Sequence, residues 1–125
     1  MTWRRWLGMG ALMAGLSVAF GAFAAHGLRA RVSADDLAIF ETGARYQMYH
    51  GLALIGVALA GERGVAGWRV VAWLFVCGIV LFSGSLYLLA LTGVTLWGVV
   101  TPFGGVAFLI GWGVLVWRVF RLSPS

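Results

Sequence analysis

The sequence has no lysine, four acidic residues, one cysteine and two prolines in a chain of 125. Only 10% of its residues are charged, where an average soluble domain carries about 25%. So few charges cannot coat a water-facing surface around so much apolar bulk, which argues against a soluble enzyme, a nucleic-acid-binding module and a disordered tail. The lone Cys77 sits inside the apolar run Trp73–Phe82, so no intrachain disulfide is possible and the redox compartment stays open. No proline interrupts the chain before Pro102, so long helices are permitted over most of its length.

What is there instead is apolar residue. The hydrophobic fraction is 62% and the mean hydropathy is +0.95. One domain fits in 125 residues and two do not. The chain reads as an integral membrane protein of the all-α class. Nine arginines give a formal charge of +5 and a pI near 10.7, but they are scattered in ones and twos at the edges of apolar runs. In that position they anchor helix ends and set orientation, and no nucleic-acid partner is expected.

The distances between charges define the layout. Trp6 to Leu28 holds no Asp, Glu, Lys or Arg, and Trp6–Ala25 is long enough for one crossing at roughly 20 residues per span. Val70 to Trp117 is uncharged throughout, and as a single helix it would be about 70 Å long, more than twice the hydrocarbon core. It must fold back. Thr92-Gly93 supplies a helix end, and Thr101-Pro102 reads as an N-cap followed by proline at the first helical position. Between these regions Ser33, followed three residues later by Asp36, signals a helix start with acids in its first turn, and Gly61-Glu62-Arg63 signals its stop. The expected architecture is a four-helix membrane bundle with helices near 6–26, 34–61, 68–91 and 102–120. The second is long, with a polar N-terminal half that protrudes from the bilayer or runs along its surface.

With four spans both termini share one side, together with Arg4, Arg5, Arg63, Arg69, Arg118 and Arg121. The positive-inside rule makes that side the cytoplasm of a bacterial inner-membrane protein. Arg4-Arg5, the apolar stretch and Ala22-Phe23-Ala24 also resemble a cleavable signal peptide. The apolar run exceeds the usual 7–15-residue core of such a peptide, so retention as the first helix is expected.

Lipid offers little hydrophobic drive for helix association, so close backbone approach and interhelical hydrogen bonds must supply it. Small residues recur at the needed spacing: Gly10/Ala14, Ala11/Gly15/Ala19 and Ser17/Gly21/Ala25 on the first helix, Gly78 and Ser85 on the third, Gly104, Gly105, Gly111 and Gly113 on the fourth. Polar residues within a membrane are expensive and each demands a reason. Glu41 and Arg45 stand four apart in the favoured ion-pair order, and Tyr49 continues their stripe. Tyr46 and His50 form a neighbouring pair beside Gln47, Ser83 and Tyr87 share a face, His26 closes the first helix, Ser85 lies on the third, and Thr101 opens the fourth. In this topology the cluster falls in the half of the bilayer away from the termini. Two readings follow: a vestibule in which a carboxylate or imidazole binds a solute or passes protons, or a hydrogen-bonded network that fixes helix register with Arg45 neutralised by Glu41.

Other chemistry has less support. Two histidines 24 residues apart, without clustered acids or cysteines, do not match a metal or haem site. No nucleophile stands in a G-x-S-x-G context, and Gly104-Gly105 lacks the lysine and spacing of a phosphate loop. No catalytic residue, cofactor or metal is expected.

Four segments carry a resemblance: Gly21-Ala22-Phe23-Ala24-Ala25-His26-Gly27-Leu28, Tyr46-Gln47-Met48-Tyr49-His50, Leu81-Phe82-Ser83-Gly84-Ser85-Leu86-Tyr87, and Thr101-Pro102-Phe103-Gly104-Gly105 continuing to Gly111-Trp112. In that order the chain resembles the YgdD-type family of small bacterial membrane proteins of unknown function, which has eukaryotic relatives. The family usually has Gly where Ala24 stands and Ala where Gly27 stands, exchanges of one small residue for another. The resemblance implies a four-span protein of the bacterial inner membrane and supplies no activity. The leading expectation is a non-enzymatic structural or interaction protein that associates with itself or with a larger membrane complex. The alternative is a small oligomeric carrier or channel built around Glu41, Arg45 and His50.

Overall fold

The computed structural model describes residues 1–122, and they form four helices and no strand. We number them α1 (Trp3–Leu28), α2 (Ala34–Glu62), α3 (Trp68–Thr92) and α4 (Trp97–Phe120). By length and apolar composition α1, α3 and α4 can each cross a membrane, whereas α2 carries too much polar residue for composition alone to assign it.

Local signals explain most of the ends. Ser33 is the N-cap of α2, its hydroxyl accepting from the Asp36 amide at 3.1 Å, with Asp35 and Asp36 in the first turn. Gly93 closes α3 in the left-handed region (φ 69°) and donates its N–H to the Leu89 carbonyl. Helix α4 starts five residues before the expected Thr101-Pro102 signal. Its first turn is nucleated by i→i−3 bonds from Trp97, Gly98 and Val99 back to Val94, Thr95 and Leu96. Pro102 is therefore the sixth residue of the helix, where its missing N–H deprives only the Gly98 carbonyl. The Thr101 hydroxyl serves helix packing instead of a cap.

Two helices contain one wide π turn each, Ala24–Leu28 at the end of α1 and Ile79–Ser83 in the middle of α3. The first turns Ala24 and Leu28 onto Phe40 and Ala90, forming a small core at the outer end. The second places Ser83, fully buried, at the contact with α2.

Helices α1 and α2 form an antiparallel hairpin in contact along its length. At its tightest crossing, a Cβ on Gly10 would come within 2.7 Å of the Gly51 carbonyl oxygen, and one on Gly51 within 2.9 Å of the Ala14 amide. Helix α3 packs on α2 and on α4, so α2 and α3 are the inner helices. The most apolar stretch of α3 is 39% buried, against 17% for α1 and for α4, which leaves the outer pair apolar and uncovered. The main core lies towards the end that holds the N-terminus. There Trp6, Leu54, Val71 and Phe75 are buried together, with Trp6 edge-on to Trp73 at 4.9 Å. Four arginine–tryptophan stacks also cluster at this end: Arg4 on Trp3, Arg69 on Trp68, and Arg118 and Arg121 on Trp117. Tryptophan and arginine together are what an interfacial belt requires.

Candidate functional site

The polar residues singled out in the sequence separate into distinct groups. Gln47 is the centre of the first. It is buried on α2, its amide nitrogen donates to the Met13 carbonyl of α1 at 2.9 Å, and its amide oxygen accepts from the Tyr87 hydroxyl of α3 at 2.7 Å. One side chain thus ties three helices together. Gly43, one turn earlier on α2, makes room for the Tyr87 ring, which a Cβ there would meet at 2.8 Å.

The second group joins α3 to α4. The hydroxyls of Ser85 and Thr101 lie 2.6 Å apart, and each also approaches a carbonyl of its own helix, Phe82 for Ser85 and Trp97 for Thr101. Ser83, two residues before Ser85, is fully buried with no hydrogen-bond partner among the described residues.

The third group contains Trp112, which the sequence offered as part of a family segment but not as a polar candidate. The indole N–H of Trp112 donates to His50 Nε2 at 3.0 Å, while His50 Nδ1 lies 2.8 Å from the Tyr46 carbonyl. An indole nitrogen can only donate, so Nε2 must accept and Nδ1 must carry the proton. The two contacts fix one neutral tautomer. The imidazole also stacks on Phe108 with centroids 3.5 Å apart and planes 9° from parallel. Tyr46, Phe82 and Leu109 complete the walls of a mainly apolar groove of about 440 Å³, with His50 at its base. The clue to Trp112 was its place one turn after Phe108, but the partner across the bundle could not be read from spacing.

Glu41, Arg45 and Tyr49 belong to none of these groups. All three are exposed and face a separate groove between α1 and α2. No ion pair forms between Glu41 and Arg45, or elsewhere among the described residues, so the expected mutual neutralisation is absent. The free acid and base sit over small residues that leave the groove open. His26 is exposed within the terminal turn of α1, away from all of these contacts. Among the described residues no group of three or more His, Cys, Asp or Glu side chains is placed to hold a metal ion.

Comparison with known proteins decides the family. Residues 20–105 match the family described as "Protein of unknown function (DUF423)". The chain belongs to this family. It is 46% identical over 114 residues to "UPF0382 membrane protein SSP2132" of Staphylococcus saprophyticus, covering 91% of this chain and 95% of the relative. It is 44% identical over 110 residues to "UPF0382 membrane protein YwdK" of Bacillus subtilis (86% and 89%), and 43% identical over 124 residues to "UPF0382 inner membrane protein YgdD" of Escherichia coli K12 (98% and 95%). No solved structure matches significantly. This member of the DUF423 family is thus a helical membrane protein of unknown function. The matched region contains Gln47, His50, Ser85, Tyr87 and Thr101, while Trp112 lies beyond it.

The Trp112–His50 contact gives a direct expectation. Trp112→Phe keeps an aromatic ring but removes the one donor to Nε2 among the described residues, and should lower stability by about 1 kcal/mol because it leaves a buried acceptor unpaired. Thermal unfolding in detergent measures the loss. The imidazole ¹⁵N shifts should at the same time lose the signature of a hydrogen-bonded, unprotonated Nε2.

Proposed function

We propose that this DUF423 protein is a non-enzymatic interaction protein of the bacterial inner membrane, a four-span bundle that associates with itself or with a larger membrane complex. The observation that carries this reading is the state of the interior. Gln47, Tyr87, Ser85, Thr101, His50 and Trp112 satisfy one another or nearby carbonyls, and none of these six is a nucleophile bonded to a base. The outer helices α1 and α4 keep broad apolar faces beyond what the bundle itself covers.

In this reading α2 is the second span. It runs antiparallel to α1 along its length, and its 29 residues reach about 43 Å, enough to cross and protrude. Both termini lie in the cytoplasm, in keeping with the arginine–tryptophan belt at that end. Extraction from the native membrane in a mild detergent should give a discrete assembly larger than the 13.4 kDa chain, of the same composition in each preparation. Single chains without companions, measured by native mass, would overturn the proposal.

A second reading, a small oligomeric carrier or channel, is favoured by one observation: the unpaired Glu41 and Arg45 beside an open groove. It requires that Glu41→Gln abolish a solute or proton flux in proteoliposomes while leaving the fold intact.

A further inference from the structure

Gln47, His50, Ser85, Tyr87, Thr101 and Trp112 are hydrogen-bonded inside the bundle, whereas Glu41 and Arg45 are not. They stand one turn apart on α2 in the order that favours an ion pair, yet neither side chain makes an ion pair or hydrogen bond among the described residues. Both line an open groove of about 360 Å³ between α1 and α2. Its floor is Ser17 and Gly21 from α1 and Ala44 from α2. A Cβ on Gly21 would meet nothing within 4 Å, and the Ser17 hydroxyl is turned away onto the Ala14 carbonyl at 2.7 Å. The groove is therefore a smooth trough in which Glu41 is level with Gly21 and Arg45 with Ser17, while Met48 and Tyr49 line its inner end.

Depth identifies what fits. With α2 as the second span, on which this inference rests, and with Glu62 at one boundary of a hydrocarbon core about 30 Å thick, roughly the first nine residues of α2 stand beyond the other. Glu41 then lies at headgroup level. Arg45 lies one turn deeper, with a side chain long enough to reach up to it. The complement is a phosphate ester that carries a primary ammonium and is attached to apolar chains. In such a lipid the phosphate is nearer the chains and the ammonium farther out, the same order as Arg45 below Glu41.

We propose that this groove binds a phospholipid with an ethanolamine-type headgroup. The Arg45 guanidinium takes the phosphate through its planar fork, the Glu41 carboxylate accepts from the ammonium N–H groups, and an acyl chain runs inward from Arg45 past Met48 and Tyr49. Phosphatidylglycerol has no ammonium to offer Glu41, and the quaternary ammonium of phosphatidylcholine has no N–H to donate. The site therefore selects among headgroups, independently of what the protein associates with.

The test is lipid retention, read by native mass spectrometry of the full chain after transfer from vesicles of equal parts phosphatidylethanolamine, phosphatidylglycerol and phosphatidylcholine. Wild type should retain phosphatidylethanolamine over each of the others by roughly three- to tenfold, as expected for a partly exposed charge-assisted contact. Glu41→Gln should erase that preference while still retaining phospholipid, and Arg45→Gln should lower retention of all three. Both side chains are exposed, so the variants should unfold at the wild-type temperature, and that control is measured alongside. Equal retention of the three lipids by wild type, or an undiminished preference in Glu41→Gln, would overturn the assignment. Displacement of bound lipid by millimolar phosphoethanolamine would also overturn it, by making the ligand a soluble phosphate ester.

Discussion

Gly104→Ala is expected to destabilise the bundle by about 2 kcal/mol, although alanine is the better helix former by about 1 kcal/mol. The added methyl would be driven into the backbone amide and Cα of Phe82 on α3. A flexible side-chain tip could move aside, but this backbone belongs to the wide turn Ile79–Ser83 and is held by helical bonds on both sides. The helices can only separate, which would also strain the Ser85–Thr101 hydroxyl contact and the fit of Phe108 against Gly78. Gly113→Ala on the same helix is the matched control. A Cβ there meets nothing within 4 Å, so only the helix-propensity gain remains and the variant should be neutral or more stable. Unfolding of both variants in the same detergent gives the comparison. Equal stability of the two would mean that α3 and α4 are not in close backbone contact.

That pair of glycines also marks a limit on reading this sequence. Glycines recur on α1 and α4 at helix-packing spacing, but Gly10 and Gly104 meet neighbouring backbone while Gly8, Gly15 and Gly113 meet nothing. In water the apolar stripe would show which face turns inward. In lipid both faces are apolar, and periodicity loses that information. The ends of α2 and α3 were legible because Ser33 and Gly93 act through their own local chemistry. The start of α4 was not, because its N-cap Leu96 makes no side-chain bond while Thr101-Pro102 imitates a cap. The polar residues themselves were legible as costly groups, but their grouping was not. Glu41 and Arg45 have the spacing of an ion pair, yet their helix turns them outward over α1, and the pairing of Trp112 with His50 exists only once α4 is laid beside α2.

Gln47→Leu should show the largest effect among the polar substitutions, a loss of about 2 kcal/mol, and the reason lies in what it strands. Leucine fills a similar volume but removes both interhelical bonds at once, to the Met13 carbonyl and from the Tyr87 hydroxyl. Met13 has its own helical bond to fall back on. The Tyr87 hydroxyl has no other partner among the described residues, and orphaning this half-buried group costs about 1 kcal/mol. Tyr87→Phe removes that orphan in advance. Alone it should cost about 1 kcal/mol, because the buried Gln47 amide oxygen then lacks its donor while the amide nitrogen keeps Met13. The double variant should then be more stable than the sum of the two single losses predicts, with a coupling of about 1 kcal/mol or more. Unfolding of the four proteins under identical detergent conditions closes the cycle. Additive losses would mean that Gln47 and Tyr87 do not share a bond and that α2 and α3 meet here by packing alone. Coupled losses would make the amide the pin that sets the register of three helices, and would give the Tyr46-Gln47-Met48-Tyr49-His50 segment a structural reason that requires no substrate.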